Sequence, residues 1–424
     1  FNRLNEQEGL YTLFLRRVKE GKVIEEKHLI SNIVKAIDPY TDFEAYLDLA
    51  KEEHLEFIIS NTTEAGIAYD ENDTAAMCPP NSFPAKLTLL LYERFKHFDG
   101  DASKGLTIIP CELINYNADT LKKIILQYIE LWQLGSAFSD WVLKANSFHN
   151  TLVDRIVPGY PKDSIEEYNF QLEYEDKLIV TAENFFLWVI EGDEALKQKL
   201  PFEKTRLDVK IVADMQPYRT RKVRILNGAH TAMVPFSILY GNETVKETID
   251  DPFTGKFISE TVFEEIIPTL DMDKEELEQF AIAVFDRFRN PFIKHLLSSI
   301  ALNSISKFKV RVLPSLLGYV EQKGTLPKRL TYAFAALIEF YNGKWQGNQL
   351  PVNDGAEEIA FFGKAWELTT IEKTVAKVLS NTAFWDTDLT RVKGLKDAIT
   401  MAIQEMEANG IEAGYATYSV KLKV

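Results

Sequence analysis

The sequence predicts a doubly wound, mostly parallel α/β sheet in its first half and a mainly α-helical second half. Three observations predict this. Between Leu10 and Trp132 short apolar runs alternate with amphipathic stretches, the connections are short, and beyond about Gln216 helical periodicity takes over. At 424 residues the chain exceeds one ordinary core, so two domains are expected, with a boundary near residue 212.

Taken in order, Leu10–Leu15 is apolar and aromatic enough for a strand. Asp42 to His54 carries Phe43, Tyr46, Leu47 and Ala50 at helical spacing behind Asp42, a candidate N-cap. Leu55–Ser60 reads as a short buried strand ending in polar Asn61, Thr62, Thr63 and Glu64. Phe83–His97 reads as a helix with Pro84 near its start, where a missing N–H is harmless. Leu106–Cys111 is the next buried strand, and Ala118–Trp132 the next helix, with Asn117 as its expected cap. Phe170–Tyr174 and Lys177–Glu183 read as strands feeding the aromatic segment Phe185–Trp188. Glu275–Phe288, Arg329–Tyr341 and Ile371–Leu379 are the clearest amphipathic helices of the second half. Ligands of doubly wound sheets bind beyond the carboxyl ends of the strands. The polar clusters Ser60–Glu64 and Glu112–Asn117 therefore mark the expected binding edge.

A net charge of -15 argues against nucleic acid as the main partner, because phosphate binding needs clustered Lys and Arg. No apolar run approaches the roughly 20 residues needed to span a bilayer. The two cysteines, Cys78 and Cys111, form neither a CxxC pair nor a disulfide framework, so a reduced, cytoplasmic protein is expected. Six histidines lie scattered without HxH or HExxH spacing, so no metal site is expected, and no GxSxG marks a serine nucleophile. GxGxxG is also absent, which alone counts against a dinucleotide site. Yet the chain opens at Phe1 without Met and reads like mid-protein sequence, so its N-terminus is expected to lie further upstream.

The most informative stretch runs from Pro217 to His230. Arg219, Arg221, Lys222 and Arg224 place four cations within six residues, ahead of Asn227 and His230. On an α-helix Asn227 and His230 share a face, whereas Lys222 lies about 140° away from Asn227, which puts it at the helix entrance. Cations at a helix start oppose the macrodipole and need another reason to be there. A solvated basic turn before a capped helix carries equal weight at this point.

The spacing Lys222-x4-Asn227-x2-His230 resembles the signature of the polyol-specific long-chain dehydrogenases, the mannitol dehydrogenase family. Four further segments are similar in the same order: Ile59–Gly66, Pro110–Asn117, Leu152–Ile156 and Arg287–Pro291. The resemblance implies a Rossmann-like dinucleotide-binding domain over 1–212, with extra strands and its first βαβ unit before Phe1. A helical substrate and catalytic domain over 213–424 follows. It also implies NAD as cofactor and a monomer. Lys222 becomes the catalytic acid–base, which requires a pKa well below the usual value of about 10.4. Asn117 and Asn227 become the oxyanion-hole amides, and His230 orients the substrate. Asn61, Thr62, Thr63 and Glu64 fall at the cofactor. Arg287 matches a substrate-contacting arginine, whose fork suits a carboxylate; Asp154 and Arg155 either line the same pocket or form a buried structural pair.

The wording of Pro110–Leu113, Thr151–Pro161 and Arg221–Thr231 is similar to the branch of the family that reduces D-tagaturonate to D-altronate. The sister reaction, fructuronate to mannonate, is the runner-up. Mannitol-specific members carry Glu in a Pro-Tyr-Glu-x-x-Lys segment where this chain has Arg219. The change leaves the proton route open and suits an anionic substrate. A sugar-acid isomerase or epimerase and a non-catalytic helical interaction protein are the alternatives from other classes.

Overall fold

The computed structural model describes residues 2–19, 22–63, 65–290 and 295–422. The chain divides into two compact units, Phe1–Tyr218 and Arg219–Val424.

In the first unit the described strands form three three-stranded sheets. β1 (Tyr11–Lys19) and β2 (Lys22–Ile30) make an antiparallel hairpin, and β7 (Val180–Glu183) joins β1 in parallel. β3 (Phe57–Ser60), β4 (Thr107–Pro110) and β5 (Ser147–Phe148) are parallel throughout, as the alternating pattern predicts. β6 (Thr151–Asp154), β8 (Leu187–Glu191) and β9 (Val209–Val212) form a mixed sheet.

The helix Phe83–His97 forms where expected: the Ser82 side chain accepts from the Ala85 N–H, Pro84 sits in the first turn, and Arg94, Lys96 and His97 face the C-terminal dipole. Its apolar face meets the helices Asn117–Leu131 and Ser136–Ala145 around Leu87, Leu91, Ile108, Leu121, Ile125 and Phe138. Arg94 is buried there and donates to the carbonyls of Ala50, Glu52, Leu55 and Lys104, clasping loops that end on this layer.

Three expectations need correction. The Asp42 cap holds, with its carboxylate accepting from the Ala45 N–H, but the helix ends at Asp48 and a short 3-10 turn takes Leu49–Lys51. Phe170–Tyr174 is no strand: Ile165–Phe170 is helical, Tyr168 alone of that helix is buried, and the chain then turns. The first turn of the helix Asn117–Leu131 is capped by two side chains rather than by Asn117 alone: Asn150 Oδ1 accepts from the N–H groups of Ala118 and Asp119, and Asn117 Oδ1 accepts from that of Ala118.

The second unit is helical. Lys328–Phe340 is its axis, buried without a break from Leu330 to Phe340, and it packs against Gly228–Tyr240 and Leu395–Lys421. Gly228–Tyr240 is apolar nearly all round, as a helix enclosed by others must be. The Glu265 carboxylate accepts from the N–H groups of Arg329 and Leu330 at the start of Lys328–Phe340, and burial pushes its pKa up to about 7. Among the described residues no helix is long and apolar enough to cross a membrane.

Candidate active site

At the carboxyl ends of β3 and β4 the two expected polar clusters meet in a tight knot around Glu112. This carboxylate is 3% exposed and accepts from Ser60 Oγ (3.0 Å), the Thr62 N–H (3.0 Å) and Thr62 Oγ1 (2.8 Å). A buried carboxylate needs such donors, and here it freezes the turn that follows β3. Gly66 closes the turn: a Cβ there would lie 2.0 Å from Thr62 Oγ1. Asn61, Thr62 and Thr63 are left exposed at the strand end, and Glu64 lies outside the described residues.

Asn117, expected as an oxyanion-hole amide, is held by carbonyls at the end of β4. It is fully buried, and its Nδ2 lies 2.9 Å from the Pro110 carbonyl, 3.1 Å from that of Glu112 and 3.2 Å from that of Thr151. Its Oδ1 accepts from the Thr151 N–H at 3.0 Å. An amide carries only two N–H groups, and both have protein acceptors here. It latches the end of β4 to the start of β6. Asn117→Ala is therefore expected to cost about 3–5 kcal/mol of stability, a fall in Tm on the order of 10 °C. An unchanged Tm with a collapsed kcat would return this amide to the chemistry.

Asp154 ends β6 and is buried; Arg155 follows it. Arg155 Nε donates to the Glu183 carbonyl at 3.0 Å, and its guanidinium lies 5.4 Å from the centre of the Phe186 ring. The Glu183 carboxylate accepts from the Ile156 N–H at 2.6 Å, so Arg155 and Glu183 together fasten the strand ends.

The second group of residues sits on one helical run, Gln216–Arg221, Lys222–Asn227 and Gly228–Tyr240. The middle segment is a π-helix, in which hydrogen bonds span five residues rather than four. Residues five apart then lie one turn apart. Lys222 and Asn227 bound this segment, so they stack along one face instead of diverging by about 140° as on an α-helix. His230, three residues on in regular α-helix, continues that face. Nor is Lys222 at a helix entrance: the run begins at Gln216, and the macrodipole objection lapses.

Of the neighbouring cations, two are anchors. Arg221 is buried, pairs with Glu276 at 2.8 Å and lies over the Phe280 ring. Arg224 Nε donates to Ser315 Oγ at 2.8 Å, and burial pushes its pKa down to about 10. Arg219 is half-buried. Asn227 is also half-buried, and its amide makes no hydrogen bond among the described residues. The His230 ring stacks on Phe288 at 4.3 Å and meets His295 edge-on at 5.0 Å. Its Nε2 is buried without a hydrogen-bond partner among the described residues. Burial, then His295, Arg287 and Arg311, hold its pKa well below the usual histidine value, so the ring is neutral. Arg287 is buried on the helix Lys274–Phe288, while its neighbour Asp286 turns to Arg289. Pro291 lies outside the described residues. Among the described residues no three His, Cys, Asp or Glu side chains are grouped to hold a metal ion.

Two family models match nearly the whole chain: the mannitol dehydrogenase Rossmann domain over residues 1–204 and the mannitol dehydrogenase C-terminal domain over 214–407. The chain belongs to the mannitol dehydrogenase family. It is an oxidoreductase acting on a CH–OH group. Among curated relatives, the altronate oxidoreductase of Yersinia pestis is 46% identical over 98% of this chain and 87% of its own length. That of Bacillus subtilis (strain 168) is 46% identical over 99% of this chain and 86% of its own. Two solved structures share the fold. A substrate-free D-sorbitol dehydrogenase has a TM-score of 0.81 at 21% identity, covering 98% of this chain and 85% of that one. Pseudomonas fluorescens mannitol 2-dehydrogenase, in ternary complex with NAD and D-mannitol, has a TM-score of 0.66 at 20% identity, covering 99% and 85%.

Proposed function

We propose that this protein reduces the ketone of D-tagaturonate to the secondary alcohol of D-altronate, reversibly, with NADH, in the catabolism of hexuronates. The observation that carries the reading is the single helical face shared by Lys222, Asn227 and His230 through the π turn. The names and identity of the curated relatives support the choice of substrate.

In this reading residues 1–212 bind the dinucleotide and 213–424 carry the substrate and the acid–base groups. The cofactor fits the first unit through the frozen turn after β3: exposed Asn61, Thr62 and Thr63 stand at a strand end whose backbone Glu112 holds fixed. Glu64 belongs to the same segment. When bound, NADH supplies the hydride. The Lys222 ammonium gives a proton to the developing alkoxide in reduction, and the amine takes it back in oxidation. The Asn227 amide donates to that same oxygen, and with no hydrogen bond among the described residues it has none to break in doing so. Neutral His230, clamped by Phe288, orients a substrate hydroxyl without adding charge beside the lysine. Arg287 contacts the substrate, with Asp154 and Arg219 further substrate groups. Arg155 acts at one remove, by holding the strand end that carries Asp154.

The test is NADH oxidation, followed by absorbance, with D-tagaturonate, D-fructuronate and D-fructose side by side. A kcat/KM at least about tenfold higher for tagaturonate than for fructuronate is expected, the scale of about 1.4 kcal/mol of discrimination at one stereocentre. The reverse order assigns the sister reaction. Turnover of fructose alone would remove the sugar-acid reading.

A further inference from the structure

The groups whose charge bears on His230 are His295, Arg287 and Arg311, and no carboxylate is among them. Arg311 stands out from the other arginines of the helical unit. Arg221 has Glu276, and Arg329 has Glu260, Glu264 and Glu265. Lys309, two residues before Arg311, has Asp386 at 2.7 Å. Arg311 is half-buried at the end of the helix Ser304–Arg311, and among the described residues it makes no ion pair. Its one hydrogen bond there is long, 3.5 Å from Nη1 to Thr231 Oγ1.

That bond fixes where the guanidinium sits. Thr231 follows His230 directly, and the backbone of Arg311 abuts the same helix: a Cβ on Gly228 would come within 3.1 Å of the Arg311 carbonyl. A helix C-terminus favours a cation, which accounts for a basic residue in this turn, but that benefit is available to an exposed side chain and gives no reason for burial. A half-buried cation without a counter-ion is costly unless a ligand supplies the charge. Nearby Lys307 donates from its ammonium to the Ile300 carbonyl, and the Asp354 charge bears on Lys307. Arg287 is already engaged by another group. Arg224 is held on Ser315 at 2.8 Å.

We propose that Arg311 holds the carboxylate of the sugar-acid substrate and is the residue that sets the preference for a charged ketose over an uncharged one. The Arg fork receives the carboxylate at one end of the substrate, beside His230, and the reacting carbonyl lies further along the same helical face, toward Asn227 and Lys222. This rests on the reading that a ketouronate is reduced.

The test uses the full chain with Arg311→Gln and Arg311→Lys, assayed on D-tagaturonate and on D-tagatose, the same ketose without the carboxylate. For Arg311→Gln, KM for tagaturonate is expected to rise about ten- to a hundredfold, the value of one lost charge-assisted contact. KM for tagatose and kcat for both stay within about threefold of wild type, the scatter of a surface change. Arg311→Lys should fall between. Equal rises for both substrates would make Arg311 a structural residue and overturn the proposal, as would no rise at all. Arginine modification by phenylglyoxal, mapped by mass spectrometry on the wild-type protein, needs no variant to fold. D-Altronate should protect Arg311 and the neutral alditol should not; protection by neither or by both overturns the proposal. Should the wild-type protein leave tagaturonate untouched, the functional reading falls, and protection by sugar acids still decides the subsite.

Discussion

Lys222→Ala is expected to lower kcat for ketone reduction by about 10²–10⁴-fold, the range for loss of a positioned acid–base group, with KM for the substrate nearly unchanged. The amine acts on the oxygen that gains charge in the transition state, so its loss shows in turnover more than in binding. Lys222→Arg should not restore the rate, because a guanidinium does not give up its proton near neutral pH. Added small primary amines should restore part of the activity of Lys222→Ala by occupying the vacated volume. The decisive measurement is single-turnover NADH oxidation. A variant that keeps more than about a tenth of the wild-type rate, under 1.4 kcal/mol of barrier, would place the proton elsewhere.

Asn227→Ala is expected to cost about 10²–10³ in kcat, the usual loss for one oxyanion donor. Asn227→Asp should be at least as poor, since it sets a negative charge against a developing one. Neither should alter Tm by much, because the Asn227 amide makes no hydrogen bond among the described residues. Steady-state rates paired with thermal melts check both points. The opposite pattern, lost stability with retained turnover, belongs to Asn117. If Asn227 gave it instead, the two amides would have exchanged roles and the mechanism argued from the π turn would fail.

These two asparagines show how far residue type carries. Both match the family pattern, and nothing in a linear string separates an amide without a hydrogen bond among the described residues from one that meets the Pro110 and Thr151 carbonyls. The role of Glu112 within its polar cluster was hidden for a related reason: its partners are Ser60 and Thr62, far away in sequence, and only the parallel pairing of β3 with β4 brings them together. By contrast Phe83–His97 and Ile371–Leu379 were legible to the residue, because a side-chain cap, helical spacing of apolar residues and a basic last turn all agree. Phe170–Tyr174 failed because alternation over five residues fits a strand and a helix end equally well. Arg311 lay in a run of mixed basic and apolar residues, and that it makes no ion pair among the described residues is visible only in three dimensions.

The segment Lys222–Asn227 holds one residue more than a regular helix would place in that turn. Such a loop-out strains the ladder, and trimming Val223, a half-buried residue, would let it heal into ordinary α-geometry. A trimmed chain would gain thermal robustness, and in the proposed reading it would lose the alignment of Lys222 with Asn227. Attempts to harden this enzyme should therefore begin elsewhere in the sequence and leave that irregularity as it is.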